Sequence, residues 1–174
     1  MKERPILMEL KNLLSEKRSA ILGKWFDAIL SIYPAETSNL MKNNKNQFTN
    51  PAGHTILHSI EKIFEELLEG RWETRFELDN ILRIKAVQDF TPSEATQFIF
   101  HLKKVIREEL KNEIQAHNLF DELLRLESQI DRMALLAFDI FMKCREKIYE
   151  LKAKGMTSDL LMEEGMAYRR GLGR

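Results

Sequence analysis

Asn50-Pro51-Ala52-Gly53-His54-Thr55-Ile56-Leu57-His58-Ser59-Ile60-Glu61-Lys62-Ile63-Phe64-Glu65-Glu66-Leu67-Leu68-Glu69-Gly70 contains every signal of one helix, from its start to its stop. Asparagine can cap the first turn, proline suits the first helical position, and glycine follows the last. Between them Ile56, Ile60, Ile63, Phe64 and Leu67 recur at three-and-four spacing. At about 100° per residue they form one apolar arc. His54, His58, Glu61 and Glu65 project within roughly 60° of one another on the other side. The stretch predicts an amphipathic helix over 51–69, with one face in a core and one in water.

The same pattern extends in both directions. Residues 5–33 are helical in period, in two pieces meeting near Ser15, with Ile21, Trp25, Ala28, Ile29 and Ile32 on one buried face, and Pro34 ends them. The polar segment after it has room for a short helix over 37–42 before a loop. Leu78, Ile81, Leu82, Lys85 and Ala86 stand in helical order over 78–89. Thr91-Pro92-Ser93-Glu94 is a capping box with proline in the first turn, opening a helix that is expected to reach about residue 112. A last long helix is expected over 117–154, stopped by Gly155. Its residues 133–142 are apolar almost all the way round, which predicts a central, buried helix. From Thr157 a short helix should give way to a flexible basic tail ending Arg169-Arg170-Gly171-Leu172-Gly173-Arg174. No strand and no repeat is legible. The expectation is an all-α multi-helix bundle, with one domain over 1–155 and an extension over 156–174.

Composition narrows the function. Hydrophobic residues at 44% and charged residues at 31% belong to a folded globular chain. Lys plus Arg and Asp plus Glu balance at 27 each, so no net field draws the molecule to nucleic acid or an anionic membrane. Cys144 is the only cysteine, which rules out an internal disulfide or a thiolate metal cluster and suits a reducing cytoplasm. The first ten residues mix charge into a short apolar run and do not read as an export signal. The run 133–142 is about half the length a bilayer crossing requires. The expected location is cytoplasmic.

Few residues suggest chemistry. His54 and His58, one turn apart with Glu61 and Glu65 in line, have a spacing that can share a metal, but the set lacks the HExxH pattern and a third ligand, and it reads as a solvated face. His101 flanks an arc of Phe98, Ile99, Leu102, Val105 and Ile106, and His117 lies at a helix start; either could be a haem ligand, although a structural histidine is the plainer reading. Asp139 is the one acid in the apolar run. A buried carboxylate must be paired, and Lys143 one turn on is the expected partner. Trp25, Trp72 and the three tyrosines read as core or interface anchors. Phe100 projects away from its helix's apolar arc and is the candidate interface residue. No glycine-rich phosphate loop occurs, and no nucleophile, base and oxyanion set converges, so neither an enzyme nor a cofactor is expected.

Three groups of residues together resemble a known family: Lys24-Trp25-Phe26-Asp27 with Tyr33-Pro34; Phe48-Thr49-Asn50-Pro51-Ala52-Gly53; and Ile81-Leu82-Arg83-Ile84-Lys85-Ala86-Val87-Gln88-Asp89-Phe90-Thr91-Pro92-Ser93. The chain resembles the RsbRD amino-terminal domain family, named for co-antagonists of the RsbT kinase in bacterial stress-signalling assemblies. The resemblance covers about residues 14–151. It implies a globin-like helical sensor domain that dimerises and has no enzymatic activity. Such domains precede a STAS domain in the stress-signalling proteins, and this sequence reads as a stand-alone form. The expected function is a non-enzymatic sensory domain acting through a protein partner, a signalling or respiratory component, with a small-ligand or haem-binding sensor as the alternative. Asn50-Pro51 and the capping box explain part of the motif structurally. A surface ion-pair network is the expected reason for Arg83 and Lys85.

Overall fold

The computed structural model describes residues 8–44, 46–71, 74–88 and 90–171, with side chains over most of 9–155 and only the course of the backbone over 156–171. Eight helices and no strand lie among the described residues. They are α1 (Met8–Glu16), α2 (Arg18–Leu30), α3 (Ala35–Asn43), α4 (Pro51–Glu69), α5 (Arg75–Val87), α6 (Pro92–Glu109), α7 (Lys111–His117) and α8 (Phe120–Gly171). Trp72, Asp89 and the side chains of the basic tail lie outside the described residues.

Local signals determine where α4 starts and stops and where α6 starts. Asn50 caps α4 by accepting from the Gly53 backbone N–H at 3.0 Å, while its amide donates to the carbonyls of Met41 at 2.9 Å and Asn44 at 2.7 Å. One buried side chain therefore joins the end of α3 to the start of α4. Gly70 follows α4 with φ of 67°, where glycine carries no Cβ penalty. Thr91 and Glu94 satisfy each other's backbone N–H groups at the start of α6.

α8 packs against both α5 and α6, α4 lies against α5, and α2 lies against α6. The pairings make three layers, with α5 and α6 between the long helix on one side and α2 and α4 on the other. The core is filled by Trp25, Phe64, Phe98, Phe141 and the aliphatic arcs predicted for each helix. Trp25 stacks on Phe98 and donates its indole N–H to the Phe98 carbonyl at 2.7 Å, which ties α2 to α6.

The structure departs from the sequence reading at four points. The helix from Thr91 ends at Glu109, and a separate α7 follows. Asn118 adopts φ of 52° and ends α7, so the long helix begins at Phe120 rather than His117. Gly155 does not stop that helix, whose backbone continues to Gly171. Glycine costs a helix interior about 1 kcal/mol, which good helix formers on both sides can offset, and no proline follows to enforce a stop. Finally, residues 133–142 are buried on one side only. Met133, Ala134, Ala137, Ile140 and Phe141 face α5 and α6, whereas Leu135 is 71% and Phe138 46% exposed. Asp139 lies on the exposed side, and no ion pair joins it to Lys143. Two neighbouring helices cover only part of the circumference of α8, so the carboxylate needs no buried partner.

Candidate functional site

Three residues of the resemblance, Tyr33, Lys85 and Phe90, converge at one place. Lys85, near the end of α5, is fully buried, and its ammonium has no hydrogen-bond partner. It stands 4.9 Å from the ring centre of Phe90, 5.6 Å from that of Tyr33 and 5.9 Å from that of Phe98. Tyr33 and Phe90 meet edge to face at 5.3 Å, and the Tyr33 hydroxyl donates to Gln88 Oε1 at 2.8 Å. Tyr33 comes from the segment after α2, Phe90 from the α5–α6 connection and Phe98 from α6. The helix arc aims Lys85 inward, and ring faces replace part of the hydration it gives up. Burial lowers its pKa to about 8, with the Glu94 carboxylate acting in the opposite direction. This corrects the surface ion-pair reading for Lys85, although Arg83 does pair with Asp79 on the surface at 2.6 Å. The lysine's place in the arc of Leu78, Ile81 and Leu82 was legible in the sequence, and that arc was the signal for its burial.

His101 lies one turn beyond Phe98, partly buried, with Nδ1 lacking a hydrogen-bond partner. Burial first, then Lys104 and Lys85, hold its pKa below the ordinary histidine value, which keeps the ring neutral at neutral pH. His117 pairs with Glu9 at the surface, away from His101. His54 and His58 are exposed, with nearly parallel rings 6.4 Å apart, and Glu65 on the same face is held by Lys62 and Arg18. Among the described residues no three His, Cys, Asp or Glu side chains converge as metal ligands would.

A second feature spans α8. With 100° per residue, Phe120, Leu124, Leu135, Phe138, Met142 and Tyr149 fall within a stripe roughly 60° wide, on the side turned away from the core. All but the partly buried Met142 are exposed. The neighbouring α6 extends this stripe. Lys103 meets Asp131 at 2.9 Å and Arg107 meets Glu127, so the two helices run antiparallel. That register brings Phe100, 49% exposed, level with Ala134 and Leu135. Sequence reasoning singled out Phe100 but assigned Leu135 and Phe138 to the core. At the other end of the cage, Arg145 of α8 donates to the Ala86 carbonyl at 3.0 Å, which joins the residue after Lys85 to the long helix.

Comparison with known proteins gives two matches. Residues 19–154 match the family described as the RsbT co-antagonist protein rsbRD N-terminal domain. A protein of Archaeoglobus fulgidus described as uncharacterized is 29% identical over 146 residues, which is 83% of this chain and 88% of that one. No solved structure matches. No helix among the described residues is long and apolar enough to cross a membrane.

Proposed function

The chain belongs to the rsbRD N-terminal domain family, a family of stress-signalling sensor domains, and on that premise we propose that it is a non-enzymatic cytoplasmic sensor that works as a homodimer and reports to a protein partner. The observation that carries this reading is the second apolar stripe of α8. A helix already packed on α5 and α6 has no folding reason to place Leu135, Phe138 and Tyr149 on one further line in water. A second copy is the occupant because the stripe is self-complementary. Two α8 helices crossing at this line bury the same residues on both sides, as a two-fold interface requires.

In this reading the Lys85 cage is the sensing end and α8 the output. Arg145 connects them through the Ala86 carbonyl, so a change in the packing of α5 reaches the helix that two copies share. The family's association with signalling assemblies supports a protein partner. Light scattering tests the dimer: the wild-type chain should run at twice its 20.5 kDa mass, and Phe100→Asp together with Phe138→Asp should halve it. Dimer mass unchanged by both substitutions would rule the stripe out.

A further inference from the structure

Opposite the apolar stripe, α5 and α8 enclose an open groove of about 570 Å³. Its floor is aliphatic, made by Ala86, Ile140 and Ile148, with the Cys144 thiol beside them. Its rim carries four cations, Arg75, Arg83, Lys143 and Lys147, against the single carboxylate of Asp79. Asp79 is taken by Arg83 at 2.6 Å, and Lys147 has Glu150 at 3.5 Å outside the groove. Arg75 and Lys143 form no ion pair among the described residues.

We propose that this groove binds a small amphipathic anion, an aliphatic chain with a carboxylate head, the chain lying on the α5–α8 floor and the head between Arg75 and Lys143. The volume falls in the range of small-molecule sites, which run from about 300 to 1,000 Å³. A floor of a few aliphatic side chains is too small for a protein partner, which needs about 800 Å² on each side. A folded chain with no net charge has no general reason to collect four cations around an apolar floor, and the two without partners are what an anionic head would complete. At 100° per residue, Ile140, Cys144 and Lys147 lie about 120° to 180° round α8 from Leu135 and Phe138, so ligand and second copy can be held together. The ligand would tie α5 to α8 beside the Arg145 contact, and it does not depend on the dimer being correct.

The 174-residue chain provides its own probe, because Cys144 is the one cysteine in it. Decanoate, decanol and acetate are compared for their effect on the rate at which N-ethylmaleimide modifies Cys144, read by mass, and on the melting temperature. Decanoate should slow modification at least fivefold and raise the melting temperature, while decanol and acetate do neither. Arg75→Glu with Lys143→Glu should abolish the decanoate effect and leave the unliganded melting temperature in place. If that pair fails to fold, Val87→Glu, which puts a carboxylate on an exposed lining residue of the groove, should abolish it instead. Equal protection by decanol, no protection by decanoate, or protection that survives these substitutions would overturn the proposal. So would co-sedimentation with phosphatidylglycerol vesicles, which would place a membrane on this face.

Discussion

An ammonium withdrawn from water loses hydration worth several kcal/mol, and at Lys85 only ring faces replace it, at up to about 2 kcal/mol for a desolvated cation–π contact. The group therefore releases its proton more readily in the folded chain, at about 8 against an ordinary 10.5. Between those values the unfolded chain binds more protons than the folded one, so stability rises with pH. Tyr33 acts the other way above pH 10, because burial raises its pKa from 10 to about 12 and its stabilisation is lost across that interval. The window for Lys85 is thus pH 8 to 10, where wild type should gain roughly 2 to 3 kcal/mol relative to Lys85→Met. At pH 7 the methionine variant should be the more stable by a similar amount. Urea titrations of both proteins across this range check it, and a pH-independent difference would remove the buried ammonium from the account. Asn50 makes a second residue-scale prediction. Asn50→Ala strips a cap and leaves two carbonyls of the α3 end without their donor, for about 2 kcal/mol. Gly53→Ala should mimic it, since a Cβ there would sit 2.4 Å from the Asn50 amide nitrogen. Equal melting temperatures for wild type and either variant would contradict both.

Among the elements, what the sequence disclosed and what it withheld divide by the range of the forces involved. Asn50, Gly70 and the Thr91–Glu94 box act on the backbone within a turn, so α4 and α6 begin where local chemistry predicts. The burial of Ile56, Ile60, Ile63, Phe64 and Leu67 follows from period alone. Asn118 was harder to read, because a positive φ at a non-glycine residue has only a weak signature. Gly155 misled because a glycine stops a helix only when the chain takes the left-handed turn there, and a Cβ at this position would meet nothing within 4 Å. Gly155→Ala should therefore stabilise the outer part of α8 by up to about 1 kcal/mol. Amide exchange around residues 150–160 should slow about fivefold, and unchanged exchange would show that the helix is not continuous there.

At the scale of the whole molecule, the exposure of Asp139, Leu135 and Phe138 depends on how many neighbours α8 has, which periodicity does not encode. An apolar run all round a helix signals partners on all sides. α5 and α6 supply part of that contact within one chain, and in the proposed assembly a second chain supplies the rest. The candidate site was half visible in the same way: Tyr33, Lys85 and Phe90 stood in the motif and Phe98 in the apolar arc of α6, but that the three rings surround a lysine depends on the packing of α2, α5 and α6.

The most direct test of the shared α8 is cross-linking in a Cys144→Ser background. Leu135→Cys should form an intermolecular disulfide on mild oxidation, because a two-fold crossing at the stripe brings the two Cα atoms within the roughly 4.4 to 6.8 Å that a disulfide spans. Lys147→Cys, on the groove side, should remain monomeric on a denaturing gel. Cross-linking at 147 and none at 135 would place the partner on the other face of the helix and contradict the account.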